Sequence, residues 1–257
     1  MNMQRRRLLA GFGVGLGGLA GCSAPTGDGQ SGITDVEWLD GDDLEAEVLA
    51  DRHAEALVDA GSFELFSTAD TEHAGDERPS PWLPSQEYEA RFDADLGRQY
   101  LRQESTETSE RDVFELYIDG EEGFIREQVG GDVSTDRRTV ERSDQQFREA
   151  MREESLAGVG GVGGWNMTVD DRTAESGGEP AVRLVADAFE GATDVPEEVV
   201  SAEATMHVRA AGVVASLEQR WDGVHRGQDA VVDIDLAFRG IGETAVEEPD
   251  WVDELRE

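Results

Sequence analysis

The feature that most constrains how this 257-residue chain can fold is a change of period in its apolar residues. From Asp42 to Ala60, Leu44, Val48, Leu49, His53, Ala56 and Leu57 recur at helical spacing, and Gly61 follows as a stop. The spacing predicts an amphipathic helix over 42–60. After it the period becomes two. Phe63, Leu65 and Ser67 share one face of a first strand, and the polar, proline-bearing stretch Thr71 to Ser85 reads as a long hairpin loop. Tyr88, Ala90 and Phe92 alternate with Glu87, Glu89 and Arg91. Gln99 to Gln103 and Val113 to Ile118 continue the alternation, Asp119-Gly120 reads as a turn, and Gly123 to Val129 as the return strand.

Helical spacing returns at Ser143 to Leu156 through Phe147, Met151 and Leu156, with Ser143 as N-cap and Gly158 to Gly164 as the break. Further strands are expected at Trp165–Val169, Ala181–Phe189, Ala202–Ala210, Val213–Trp221 and Val231–Arg239, with a short helix over 195–200 opening at Pro196. The order predicts an α+β fold: a large antiparallel sheet curved around helices on its concave face. Two smaller sheets joined at Gly158–Gly164 are the alternative. Phe63, Tyr88, Phe92, Tyr100, Phe114, Tyr117, Phe124, Trp221 and Phe238 are the expected inner face, either as a filled core or as the wall of an apolar cleft.

The first 21 residues read as an export signal. Arg5, Arg6 and Arg7 precede an apolar, glycine-rich stretch from Leu8 to Ala20, and Leu19-Ala20-Gly21-Cys22 closes it with small residues before a cysteine. The run Arg5-Arg6-Arg7-Leu8-Leu9 resembles the twin-arginine pattern, which implies export of a folded protein. Cys22 is the sole cysteine, so no intrachain disulfide can form. It stands where a lipobox places the lipidated residue, and lipid there would hold the protein on the outer face of the cell membrane. Residues 22–40, opening with the Gly-, Ser-, Pro- and Asp-rich run Ser23 to Gly32, are expected as a flexible tether, and 41–257 as a single domain.

Cleavage would leave 19 arginines, no lysine and 58 acids, a formal charge of −39. Such an excess suits molar salt, where the screening length is ~3 Å, and reads as halophilic adaptation. No basic patch remains for nucleic acid.

The letters Gly158-Val159-Gly160-Gly161-Val162-Gly163 match a dinucleotide fingerprint, but they follow a helix where the fingerprint needs a strand. His53, His73, His207 and His225 lack metal-site spacing, and no nucleophile elbow occurs. The reading is of no enzyme, no metal and no cofactor. Asn166-Met167-Thr168 makes Asn166 a candidate glycosylation acceptor, with Trp165 and Met167 pointing to a half-buried strand that would oppose modification.

Two runs carry a family resemblance. His53-Ala54-Glu55-Ala56-Leu57-Val58-Asp59-Ala60-Gly61-Ser62-Phe63 resembles a recurring opening of halophilic archaeal lipoproteins of unknown function. Gly242-Glu243-Thr244-Ala245-Val246-Glu247-Glu248-Pro249-Asp250-Trp251 resembles their recurring end. Those proteins are similar to the LolA/LppX-like lipoprotein-localisation superfamily. The resemblance implies a half-open antiparallel barrel with helices on the concave side, and a lipid-like or hydrophobic ligand in it. A ligand-free accessory lipoprotein that docks envelope proteins is the rival expectation.

Overall fold

The structure is a computed structural model and describes residues 32–73, 85–105, 112–191 and 196–256. The helix that opens the domain, α1 (Ala46–Ala60), buries Leu49, His53, Ala54 and Leu57 on one stripe. It ends at Gly61, whose φ of 76° is left-handed and whose N–H bonds back to Val58 at 3.2 Å. It begins four residues later than its spacing predicts. Leu39–Asp40 (β1) and Asp43–Leu44 (β2) pair with each other, and the Leu44 N–H donates to the Met167 carbonyl at 3.2 Å. Leu44 therefore serves the sheet, not the helix. Trp38, within the stretch expected as tether, is 2% exposed in the main core.

The strands that follow are β3 (Ser62–His73), β4 (Gln86–Asp93), β5 (Arg98–Ser105), β6 (Val113–Asp119), β7 (Glu122–Val129) and β8 (Asp132–Thr139). After α2 (Asp144–Val159) come β9 (Thr168–Ser176), β10 (Glu179–Ala186), β11 (Glu198–Arg209), β12 (Val214–His225), β13 (Gln228–Arg239) and α3 (Asp250–Arg256). Among the described residues these build one 13-stranded sheet in the order β1-β2-β9-β10-β11-β12-β13-β3-β4-β5-β6-β7-β8, antiparallel at every pairing and unclosed. The single sheet replaces the two-sheet alternative.

Three expectations change. Of the short helix expected over 195–200, residues 198–200 are instead the start of β11, where Val199 pairs with Gly223, and residue 195 lies outside the described residues. Only a glycine at 223 fits there, because a Cβ would overlap the Glu198 carbonyl and Pro196. The loop expected from Thr71 starts later, since β3 pairs with β13 as far as His73; residues 74–84 of that loop lie outside the described residues. Strand β8 was not anticipated. All eight of its residues are exposed, so it has no buried face to impose alternation.

The helix α2 has the expected cap in full. The Ser143 hydroxyl accepts from the Gln146 N–H at 3.3 Å, and the Gln146 side chain accepts from the Ser143 N–H at 2.9 Å. Gly158 does not break it. The helix runs on to Val159 because Gly158 lies against the sheet, where any Cβ would overlap Leu236 Cδ1.

One core joins α1 and α2 to the inner face of β3, β4 and β10–β13. Phe63 and Phe92 stack at 5.0 Å, and Phe92 meets Phe147 edge-on at 6.0 Å. Each such side chain contributes roughly 1.5–3 kcal/mol by leaving water. A second core lies on the opposite face, where α3 and the chain before it bring Val246 and Val252 onto Tyr117 and Phe124. Helices thus occupy both faces: α1 and α2 the concave one, α3 the other. No helix among the described residues is long and apolar enough to cross a membrane.

Candidate functional site

The register of the sheet aligns one residue from each of six neighbouring strands on its inner face: Phe238, Leu65, Ala90, Leu101, Leu116 and Ile125. The first three are buried under the helices at 2%, 2% and 0% exposure. The last three are only half-buried, and Leu116 and Ile125 belong to neither core. Phe114 and Ile118, two residues to either side of Leu116 on β6, face the same way because side chains alternate along a strand. The inner surface of β5–β7 therefore carries an apolar wall of Leu101, Phe114, Leu116, Ile118 and Ile125 that continues the core, bordered on the same face by Gln99, Gln103 and Glu127. Asp136 on β8, opposite Ile125, ends the row with a carboxylate at the exposed edge.

The wall has two boundaries. On the β4 side stands α2, tied to the sheet where the Tyr88 hydroxyl donates to Glu154 Oε1 at 2.7 Å. Desolvation raises the Glu154 carboxyl above its ordinary pKa, and the bond from Tyr88 opposes that shift. At the turn end the chain leaving β8 crosses the inner face. The Val140 N–H bonds the Glu121 carbonyl at 2.8 Å, and its side chain fills the space where Gly123 lacks a Cβ. Arg142 follows, donating to Gln99 Oε1 at 2.6 Å and lying 4.7 Å over the Phe147 ring. A cleft of 490 Å³ opens there, lined by Leu96, Gly97, Gly120, Arg142 and Phe147 among others.

The opposite face of the same strands is polar. Glu115 accepts from Tyr100 at 2.8 Å and from Arg126 at 2.7 Å, and Arg102 pairs with Glu104. Tyr100, Tyr117 and Phe124 lie on this outer side, under or beside α3, and not on the inner face expected for them. Phe63, Phe92, Trp221 and Phe238 do lie in the inner core. Leu101, Leu116 and Ile125 were missed because alternation within a strand does not say which parity faces inward. Pairing each strand outward from Leu65 through Ala90 leads to them.

His53 is fully buried, its Nδ1 accepting from the Val214 N–H at 3.2 Å. Burial lowers its pKa to about 4, with a backbone bond to Ser155 pulling the other way, so the ring is neutral and structural. His207 meets Ser216 Oγ at 3.2 Å on the outer face, and His225 faces the exposed Glu197 at 3.8 Å. Neither lines the inner cleft. Among the described residues no group of three His, Cys, Asp or Glu side chains is placed to hold a metal. Asn166 is exposed between buried Trp165 and Met167, in the link between α2 and β9 and not within a strand. Arg5, Arg6, Leu19, Ala20, Gly21 and Cys22 lie outside the described residues.

No family model and no curated protein sequence matches the chain. Solved structures do. The Pseudomonas aeruginosa MucA/MucB complex aligns over 81% of this chain at 15% identity with a TM-score of 0.31, this chain spanning only 60% of the matched one. A LolA superfamily protein from Nitrosomonas europaea aligns over 80% of this chain and 96% of its own, at 10% identity and a TM-score of 0.25.

Proposed function

We propose that this chain is an exported lipoprotein, lipidated at Cys22 and held on the outer face of the cell membrane, whose β5–β7 wall binds an apolar, lipid-like chain. The observation that carries the binding reading is the half-buried row Leu101–Leu116–Ile125. It is in register with the core, only half-buried, and bounded by α2 and Val140. A row of three strands spans ~10 Å, wide enough for one chain-like ligand. An anchor at Cys22 would keep the domain at a bilayer, which supplies such chains. The reading assigns no catalytic step. A ligand-free accessory role is favoured by a different observation: under α1 and α2 the inner face is already filled by the chain's own core.

Two measurements test the proposal. Cys22→Ser should move the protein from the membrane fraction to the medium; a protein still membrane-bound contradicts the anchor. Lipid extraction of that released protein, purified in molar salt, should yield one class of chain-bearing molecule at near-stoichiometric amount. Repeated empty extractions favour the accessory role.

A further inference from the structure

The apolar wall has a charged end. Most described arginines of this acidic chain hold a carboxylate, as Arg98 holds Asp119 and Arg220 holds Asp233. Arg142 does not. It is half-buried, its bond to Gln99 occupies one of five donors, and its plane is set by stacking on Phe147. Burial pushes its pKa down, Glu153 pulling the other way, so the charge lacks the solvation it would have in water. Arg148, exposed on the same cleft, also has no ion-pair partner among the described residues. A guanidinium held flat with free donors matches the fork geometry of a carboxylate or phosphodiester.

Gln99, to which Arg142 is bonded, sits directly opposite Ile118 on the inner face. From Ile118 the wall runs through Leu116 to Phe114, ~13 Å along β6. The charged cleft and the apolar row thus share the inner face, with Gln99 and Ile118, 5% and 6% exposed, between them. The remaining charges at the cleft, Asp95, Glu121 and Asp144, are exposed at its rim. They disfavour a dianion and leave room for a single charge at Arg142. In the first turn of α2 the capping box occupies the Ser143 and Gln146 N–H groups.

We propose that the cleft takes the monoanionic oxyanion head of a chain-bearing membrane lipid, forked by Arg142, with the chain passing over the covered Ile118 to the half-buried Leu116 and Phe114. This rests on the wall-binding reading above and adds the head group to it.

The test uses the full chain bearing Cys22→Ser, in molar potassium chloride, with fluorophore-labelled palmitate and the matching fatty alcohol as probes. Palmitate should bind at least ten-fold more tightly than the alcohol. Arg142→Gln should erase that preference while leaving alcohol binding within two-fold, which also shows that the variant is folded. Arg142→Lys should retain part of the preference. Acetate should not displace palmitate; displacement would reassign the cleft to free small anions and overturn the lipid assignment. Retention of the full preference by Arg142→Gln overturns the head-group proposal alone. Failure of the original protein to bind either probe overturns the wall reading and this proposal with it.

Discussion

Acid should weaken this protein through His53. The ring is fully buried on α1, accepts the Val214 N–H, and touches the Phe238 ring edge-on at 4.4 Å. Burial holds its folded pKa at about 4, against an ordinary value of 6.5. The folded value is depressed, so the neutral ring favours folding fully above pH 6.5. That contribution is lost as pH falls from 6.5 toward about 4, because the unfolded chain takes up the proton first. At 1.36 kcal/mol per unit the loss reaches roughly 3 kcal/mol, a large fraction of the 5–15 kcal/mol typical of a domain. Carboxylates also titrate in this window, so the assay is a difference. Urea unfolding of the original chain and of His53→Leu is followed from pH 7 to pH 4 in molar salt. At pH 7 the variant should be weaker by about 1–3 kcal/mol, since Val214 loses its acceptor. By pH 4 the gap should close by roughly 3 kcal/mol. A gap constant to within about 0.5 kcal/mol across that range, or a folded-state imidazole resonance titrating near its ordinary value, refutes the reasoning.

Three further outcomes are expected. Gly158→Ala drives a methyl into Leu236 and should cost about 1–3 kcal/mol in unfolding measurements; adding Leu236→Ala should cost less than the separate effects combined, and simple additivity would argue against the contact. Val252→Asp places a charge where exposure is 0% against the Tyr117–Phe124 cluster; hydrogen exchange over 246–256 should quicken at least about ten-fold while α1 and β13 keep their protection, and equal loosening everywhere would deny that α3 is a separable cover. Expression in an N-glycosylating host should add a glycan mass to the peptide bearing Asn166, now placed at an exposed link; an unmodified peptide under those conditions removes the site.

Much of the architecture was legible because it rests on local chemistry. Gly61 and Ser143 mark helix ends through left-handed backbone and a reciprocal cap, and both signals are written in one or two residues. The strands with one buried face declared themselves by alternation. What was not legible depends on partners distant in the chain. Strand β8 has no buried face, and its remaining signal was the Gly130-Gly131 turn, whose φ values of 57° and 87° are both positive as a tight hairpin requires. Gly158 read as a helix break because Leu236, its reason for being glycine, is far away in sequence. Tyr100, Tyr117 and Phe124 were placed on the inner face because nothing local announces that α3 would cover the outer one. The apolar wall shared that fate. Leu101, Leu116 and Ile125 are ordinary strand residues until the register aligns them.

The central claim, that this wall is where an apolar chain lies, is tested most directly by photocrosslinking. The released Cys22→Ser protein is incubated with a fatty acid carrying a photoreactive group along its chain, irradiated in molar salt, and digested for peptide mapping. Adducts should concentrate on the peptides of 98–105 and 113–129, and Leu116→Glu should abolish them while circular dichroism is unchanged. Adducts spread over α1 and β11, or adducts on β5–β7 that survive Leu116→Glu undiminished, would contradict it.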